Sequence, residues 1–210
     1  MHIALIGATG RTGTLVLDEL LRRNHTVTAL VRDPTKLTTT HDRLTVMAGD
    51  SRDPEALTRL VDGAHAVVSA LGPTARESSL HTDTAKALVP VMHRGGLTRF
   101  VGISGGGIDV PGDQKSLSAR LISKAIQAFG GAVVQDKTAE YAAYAASDVD
   151  WTLARPPRLA DGAATGRLEH HAHHSTRSTK ITRADLATFL VDVAEQGLYI
   201  RQAPFVATVG

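Results

Sequence analysis

Residues 3–13, Ile-Ala-Leu-Ile-Gly-Ala-Thr-Gly-Arg-Thr-Gly, constrain this chain more than any other stretch. Ile3 to Ile6 form a short apolar run of the kind buried on both faces of a parallel sheet. Gly7, Gly10 and Gly13 follow. Leu15, Val16, Leu17, Leu20 and Leu21 then recur at helical spacing, with Arg22 and Arg23 in the last turn. The glycines thus lie between a strand and a helix, the context a dinucleotide site requires. Gly7 suits the sharp turn, Gly10 the close approach of a pyrophosphate, and Gly13 tight packing of helix on strand. The free N–H groups and dipole of the helix start face the phosphates. Thr9 and Thr12 are candidate hydroxyl donors. The spacing is G-x-x-G-x-x-G rather than G-x-G-x-x-G, so the motif gains its force from the flanking strand and helix.

Cofactor choice is set at the end of the next strand. Thr26 to Val31 is β-branched and apolar, and Arg32 ends it. An acidic residue there would accept bonds from the ribose 2′-hydroxyl of NAD, whereas arginine suits the 2′-phosphate of NADP. Arg32, with Lys36 close by and Arg11 in the glycine loop, points to NADP(H). Leu44 to Ala48 predicts a third strand. Asp50 at its end, beside Ser51, is a candidate acceptor for the adenine amino group, or else a loop or cap residue. Asp53-Pro54-Glu55 opens a helix with proline at an early position. Ala64 to Leu71 reads as a fourth strand, closed by Gly72-Pro73, which puts the backbone of Ala70, Leu71 and Gly72 over the cofactor.

A helix from about Leu80 to Arg94 and a strand from Phe100 to Ile103 lead into Ser104 and three glycines. Five β-α passes with short connections imply right-handed crossovers and a doubly wound parallel sheet, a Rossmann-like α/β fold with helices on both faces. Ligands of such sheets sit beyond the carboxyl ends of the strands. Ser104 therefore stands where chemistry occurs, as a catalytic and cofactor-facing candidate, or serves as a turn residue. Leu117 to Ala128 is amphipathic. Gly130-Gly131 separates it from an alanine-rich helix, Ala132 to Ala146. Asp150 to Ala154 is a sixth strand, stopped by Arg155-Pro156-Pro157. Residues 161–177 read as polar and irregular. Lys180 to Thr182 is a strand, a helix runs from Arg183 to about Glu195, and Pro204 to Val209 is a last short strand. The whole chain reads as one domain, with residues 155–180 contributing a substrate-side segment.

Composition narrows the partners. A formal net charge of +2 over 210 residues gives no case for nucleic acid. No apolar run nears the ~20 residues of a membrane span. The absence of cysteine excludes thiol catalysis and disulfides and fits a cytoplasmic protein. The chain begins directly in a strand, so no signal peptide is expected. No apolar stripe is plainly left over for an interface, so a monomer or a homodimer is expected.

These motifs resemble the atypical short-chain dehydrogenases, specifically the NmrA-like and biliverdin reductase B (flavin reductase)-like members. The resemblance rests on Gly7-Ala8-Thr9-Gly10-Arg11-Thr12-Gly13, Leu30-Val31-Arg32-Asp33, Gly49-Asp50, Val101-Gly102-Ile103-Ser104, Trp151 to Pro157 and Thr182 to Ala187. It spans nearly the whole chain. It implies a bound NADP, with Pro156 among its contacts, and an acceptor pocket over the nicotinamide. That pocket is expected near Ser104, the helix holding Lys137 and the segment after Pro157. It also implies reduction of a planar small molecule such as a flavin, quinone or linear tetrapyrrole, or a non-catalytic redox sensor of the NmrA type. Ordinary short-chain dehydrogenases carry a Tyr-x-x-x-Lys pair. Here Tyr141 is followed by Ala145 and Tyr144 by Asp148, so neither tyrosine has its lysine. The same absence argues against a carbonyl-modifying enzyme such as an epimerase, which needs a proton donor.

Lys137 and Tyr141 share a helix face in the reverse order. If that face points at the nicotinamide, Tyr141 donates a proton with Lys137 as a nearby cation. Otherwise Lys137 and Glu140 form a solvated face and Tyr141 packs. The resemblance further places Lys137 where relatives carry a pocket histidine, in contact with substrate. Four of the ten histidines cluster at His170, His171, His173 and His174. Imidazoles suit transition metals, yet neither an H-E-x-x-H motif nor cysteine accompanies them. An exposed hairpin near the pocket mouth, without metal, is the preferred reading.

Overall fold

A computed structural model describes residues 1–73 and 77–209. Six parallel strands form the central sheet: β1 (His2–Ile6), β2 (Thr26–Val31), β3 (Leu44–Ala48), β4 (Ala66–Ser69), β5 (Arg99–Ile103) and β6 (Asp150–Ala154). Their spatial order is β3-β2-β1-β4-β5-β6. The order reverses between β1 and β4, whose registers pair Ile3 with Ala66 and Ile6 with Ser69. This is the switch point at which doubly wound sheets bind ligands. The fold is the Rossmann-like α/β sheet that the strand and helix pattern predicts.

The sheet stands between two apolar layers. On one face α1 (Arg11–Arg22) and α6 (Arg183–Gln196) pack Val16, Leu17, Leu20, Phe189 and Leu190 against Ile3, Leu5 and Val101. On the other, α2 (Pro54–Val61), α3 (Leu80–Arg94) and α5 (Gly131–Ala145) bury Leu57, Leu60, Leu88, Met92 and Tyr144 against Phe100 and Trp151. Each such leucine contributes roughly 1.5–3 kcal/mol on leaving water. The Phe100 and Tyr144 rings stack at 4.2 Å, and Tyr141 meets Trp151 edge-on at 5.6 Å. The central strands are buried on both faces, which is why they read as unbroken apolar runs rather than alternating ones.

Local chemistry explains the boundaries. Asp53 caps α2 by accepting from the Glu55 N–H at 2.9 Å, with Pro54 as the first helical residue. Gly197, in the left-handed region at φ 61°, ends α6. The start of α3 is capped from elsewhere. Ser79 stands at its cap position, but its hydroxyl donates to Asp83. Asp136, on α5, instead accepts from the backbone N–H of His81 and of Thr82 at 2.9 and 2.8 Å. Burial pushes the Asp136 carboxyl up, but these bonds and those of the His81 and Thr82 side chains outweigh it and hold it below its ordinary value.

The structure corrects several expectations. The fourth strand is shorter than Ala64 to Leu71, because Ala64 belongs to a turn closed on Val61 and Ala70 to the loop after the strand. Residues 161–177 are not wholly irregular. Within them β8 (Leu168–His171) pairs antiparallel with β10 (Phe205–Thr208). A three-residue strand, β7 (Arg158–Ala160), pairs with β9 (Lys180–Thr182). Asp185 at the start of α6 anchors this region, accepting from Thr165, Gly166 and the Thr208 hydroxyl.

Candidate functional site

The site begins with backbone. β1 ends at Ile6, and Gly7 turns the chain at φ 85°. A Cβ there would sit 2.8 Å from the Ala70 carbonyl carbon, and one on Gly13 only 1.9 Å from the Gly7 oxygen. These two positions let the loop, the start of α1 and the strand β4 edge nest together. At Gly10 a Cβ would merely touch the Gly7 oxygen at 3.4 Å, so the fold leaves that position open to a ligand. Gly10 is the N-cap of α1 and has no side chain to cap it. The first-turn N–H groups are thus available to an anion, as a pyrophosphate needs. Thr12 is buried here and Thr9 exposed. Arg11 leans to Asp161 at 3.9 Å, with both side chains largely in water.

The adenosine end lies where β2 and β3 finish. Arg32 is exposed and its Nη1 meets the Glu77 carboxylate at 3.1 and 3.2 Å. Asp50, with a third of its side chain exposed, is already engaged by a neighbour. Arg52 grips it with Nε and Nη2 at 2.8 and 2.7 Å, and those bonds pull its carboxyl down to about 2. Ser51 is buried against the Thr84 hydroxyl at 2.9 Å. Ala70 is buried beneath the glycine loop, Leu71 offers its carbonyl to His81 at 3.2 Å, and Gly72 is exposed.

A cavity of about 810 Å³ opens beyond the carboxyl ends of β5 and β6. Its walls are the glycines after Ser104, Ile122 and Ile126 of α4 (Leu117–Phe129), Val133 and Lys137 of α5, and Pro156. Ser104 precedes this wall. Its N–H donates to the Ala154 carbonyl at 2.8 Å, while its hydroxyl is buried and has no partner among the described residues. A buried, unanswered hydroxyl at the sheet edge fits a ligand group there. Lys137 is not on a solvated face. Its Nζ donates to the Ile103 carbonyl at 2.6 Å and to buried Glu140 at 3.0 Å. Burial lowers its pKa, with Glu140 opposing. Two of the three ammonium hydrogens are so used, leaving one for a ligand in the cavity. Tyr141 is not brought to this wall. It packs on Trp151, and burial raises its pKa.

Three further features bear on the site. Read backward from Lys137, the residue four earlier is Val133, so an apolar side chain of the cavity wall occupies the tyrosine position of a Tyr-x-x-x-Lys pair. Arg155, next to Pro156, is fully buried and forks onto Asp113 with two bonds of 2.7 Å, under the Phe205 ring at 3.8 Å. Arg52, the partner of Asp50, is the third. The histidine cluster forms strand β8 and the turn after it. The His171 and His174 rings lie 4.2 Å apart, and His170 meets the Tyr199 hydroxyl at 2.6 Å. Among the described residues no group of three or more His, Asp or Glu side chains gathers as metal ligands.

Comparison with known proteins fits this geometry. The NAD(P)H-binding family model matches residues 7–197. The chain belongs to that family, and its cofactor is NAD(P)H. A crystal structure from Burkholderia pseudomallei, of a protein assigned as exported, is 33% identical, with a TM-score of 0.80 over 99% of both chains. ChuY, an anaerobilin reductase from Escherichia coli O157:H7, shares 22% identity and a TM-score of 0.80, over 99% of this chain and 97% of its own. A short-chain dehydrogenase/reductase from Veillonella parvula DSM 2008, in complex with NADP, has 18% identity and a TM-score of 0.80, over 100% and 95%. The latter two show the shared fold. The chain spans about half the length, 48%, of a curated relative, the uncharacterized protein YwnB of Bacillus subtilis (strain 168), at 30% identity over 51% of this chain. No helix among the described residues is long and apolar enough to cross a membrane.

Proposed function

We propose that this protein is an NADPH-dependent reductase of the atypical short-chain dehydrogenase type that passes a hydride to a planar acceptor of the flavin, quinone or tetrapyrrole class. The observation that carries this reading is the cavity. Its volume lies within the ~300–1,000 Å³ of small-molecule sites, and its lining joins apolar side chains of α4 and α5 and the buried Lys137 ammonium to a polar flank of Arg155, Arg158 and residues 175–179. The nearby reductase fold of ChuY, which acts on anaerobilin, supports the acceptor class.

The bound nicotinamide supplies the hydride. The chain's part is to hold the two rings in contact and to keep water out. Gly10 and the α1 N–H groups hold the pyrophosphate, Arg32 the 2′-phosphate, and Ser104 the nicotinamide end. Ile122, Ile126 and Val133 wall the acceptor ring. Lys137 presents its remaining N–H to an acceptor oxygen, where its charge favours the reduced, more negative form. Tyr141 keeps a packing role. With Val133 at the tyrosine position the site has no phenolic donor, which suits an acceptor that is protonated by solvent after the reduced ring leaves the pocket. The same observation favours the second reading, a non-catalytic NADP-binding sensor. A cytoplasmic location is proposed with either.

Titration with NADPH and NADH by fluorescence, then addition of FMN, riboflavin and simple quinones, tests the proposal. Acceptor-dependent loss of the reduced-nicotinamide absorbance is expected. Lys137→Ala should lower kcat/KM for the acceptor about tenfold or more while still binding NADPH. Tight NADPH binding with no acceptor oxidising it would overturn the reductase reading and leave the sensor.

A further inference from the structure

Arg32 does not stand alone at the end of β2. The Glu77 carboxylate that it meets at 3.1 Å also receives Arg52, whose Nη2 lies 3.0 Å from Oε1. Two guanidinium groups from different strand ends therefore converge on one anion. They are held differently. Arg52 is clamped by Asp50, through two side-chain bonds and a backbone N–H bond of 2.8 Å. Arg32 has no such clamp among the described residues, and its side chain is 60% exposed. The corner is thus one fixed fork and one movable fork around a single carboxylate.

Paired arginines of this kind match phosphate oxygens better than a lone carboxylate, because each guanidinium can fork onto two oxygens. The charges agree. Arg52 neutralises Asp50, which would otherwise repel a dianion at this place. Without Arg52, a phosphate bound by Arg32 would face a bare carboxylate. Glu77 in turn holds the position such a phosphate would take. Its bonds are partly exposed, and ion pairs of that kind are weak enough for a ligand to displace.

We propose that Arg52 is a second ligand of the NADP 2′-phosphate, and that Glu77 is an internal competitor that occupies the anion position until the phosphate displaces it. This rests on the NADP preference proposed above and deepens it: the strength of that preference is set by Arg52 and Glu77 as well as by Arg32. With Glu77 seated, the corner offers carboxylate oxygens to a ribose hydroxyl. With Glu77 displaced, it offers two forks to a phosphate.

The test is the ratio of NADPH to NADH affinity in the full chain, measured by fluorescence titration, with 2′,5′-ADP and 5′-AMP as fragment probes. The ratio within one variant cancels any general weakening of the fold. Arg52→Ala should lower the ratio about tenfold or more. Glu77→Gln should raise it about two- to fivefold, and 2′,5′-ADP should follow NADPH in both. If the wild-type protein binds NADPH and NADH alike, the NADP preference itself fails. If the wild type prefers NADPH and Arg32→Ala removes the preference while Arg52→Ala keeps it, Arg52 is not a phosphate ligand. If Arg52→Ala behaves as expected but Glu77→Gln leaves the ratio unchanged, Glu77 is no competitor.

Discussion

The glycine loop and the acceptor cavity lie at the same edge of one sheet and are built in opposite ways. The loop is backbone against backbone: Gly7 and Gly13 are nested so closely that a single added methyl has nowhere to go. The cavity is closed mostly by side chains, with the backbone of Gly105 to Gly107 on one side and on another flank α4, a helix whose only buried residue is Ser123. Leu117, Leu121 and Phe129 on that helix are 79%, 70% and 90% exposed. The loop has no room for an added atom at Gly7 or Gly13, whereas the exposed outer face of α4 can change cheaply.

Substitutions can break or sharpen this contrast. The largest effect is expected at Gly13→Ala, whose Cβ would collide with the Gly7 carbonyl. Its cost should exceed the roughly 3 kcal/mol at which overpacking usually stops, and NADPH titration should show no binding. Gly10→Ala, with room in the free protein, should keep the melting temperature and lose cofactor affinity. If Gly13→Ala melts normally and binds NADPH, the loop is not built as described. Next is Arg155→Met, which leaves Asp113 buried without its fork. Denaturation in urea should show a loss of about 3 kcal/mol, the lower end for breaking a buried ion pair. The smallest effect is expected at Leu121→Ser on the outward face of α4, within about 0.5 kcal/mol of wild type. A loss of several kcal/mol there would erase the distinction between rigid loop and permissive wall.

The same contrast decided what the sequence could reveal. Close backbone approach leaves glycines behind, and strands buried on both faces leave apolar runs, so the loop and the central strands are legible; β3, partly exposed at the sheet edge, is legible only from its Leu-Thr-Val-Met-Ala composition. β7 and β8 are not, because Arg-Leu-Ala and Leu-Glu-His-His carry no alternation and become strands only by pairing with β9 and β10. Among the site residues, Arg32 is legible from its place at a strand end. Arg52 is not, since its meaning comes from Glu77, which the chain order does not place beside it. Arg155 reads as the stop of a strand before two prolines. Nothing local signals that its charge is buried, because Asp113 stands 42 residues away. Lys137 is legible as a candidate, but spacing alone allowed either a solvated face or an active one, and only packing shows it to be buried on Ile103.

The capping of α3 by Asp136 has a consequence for how the molecule could be divided. Residues 1–96 contain the whole glycine loop, Arg32, Arg52 and Glu77, and would pass for a complete nucleotide-binding half. Yet the carboxylate that receives the His81 and Thr82 N–H groups lies 55 and 54 residues further along, on the helix that also carries Lys137. A polypeptide cut after Gly96 would leave the start of α3 uncapped, a loss of about 1 kcal/mol for an ordinary helix cap and more where the groups are buried. The half that carries the glycine loop is therefore not autonomous: it borrows a structural element from the half that carries Lys137, and the two would regain their stability only as complementing fragments.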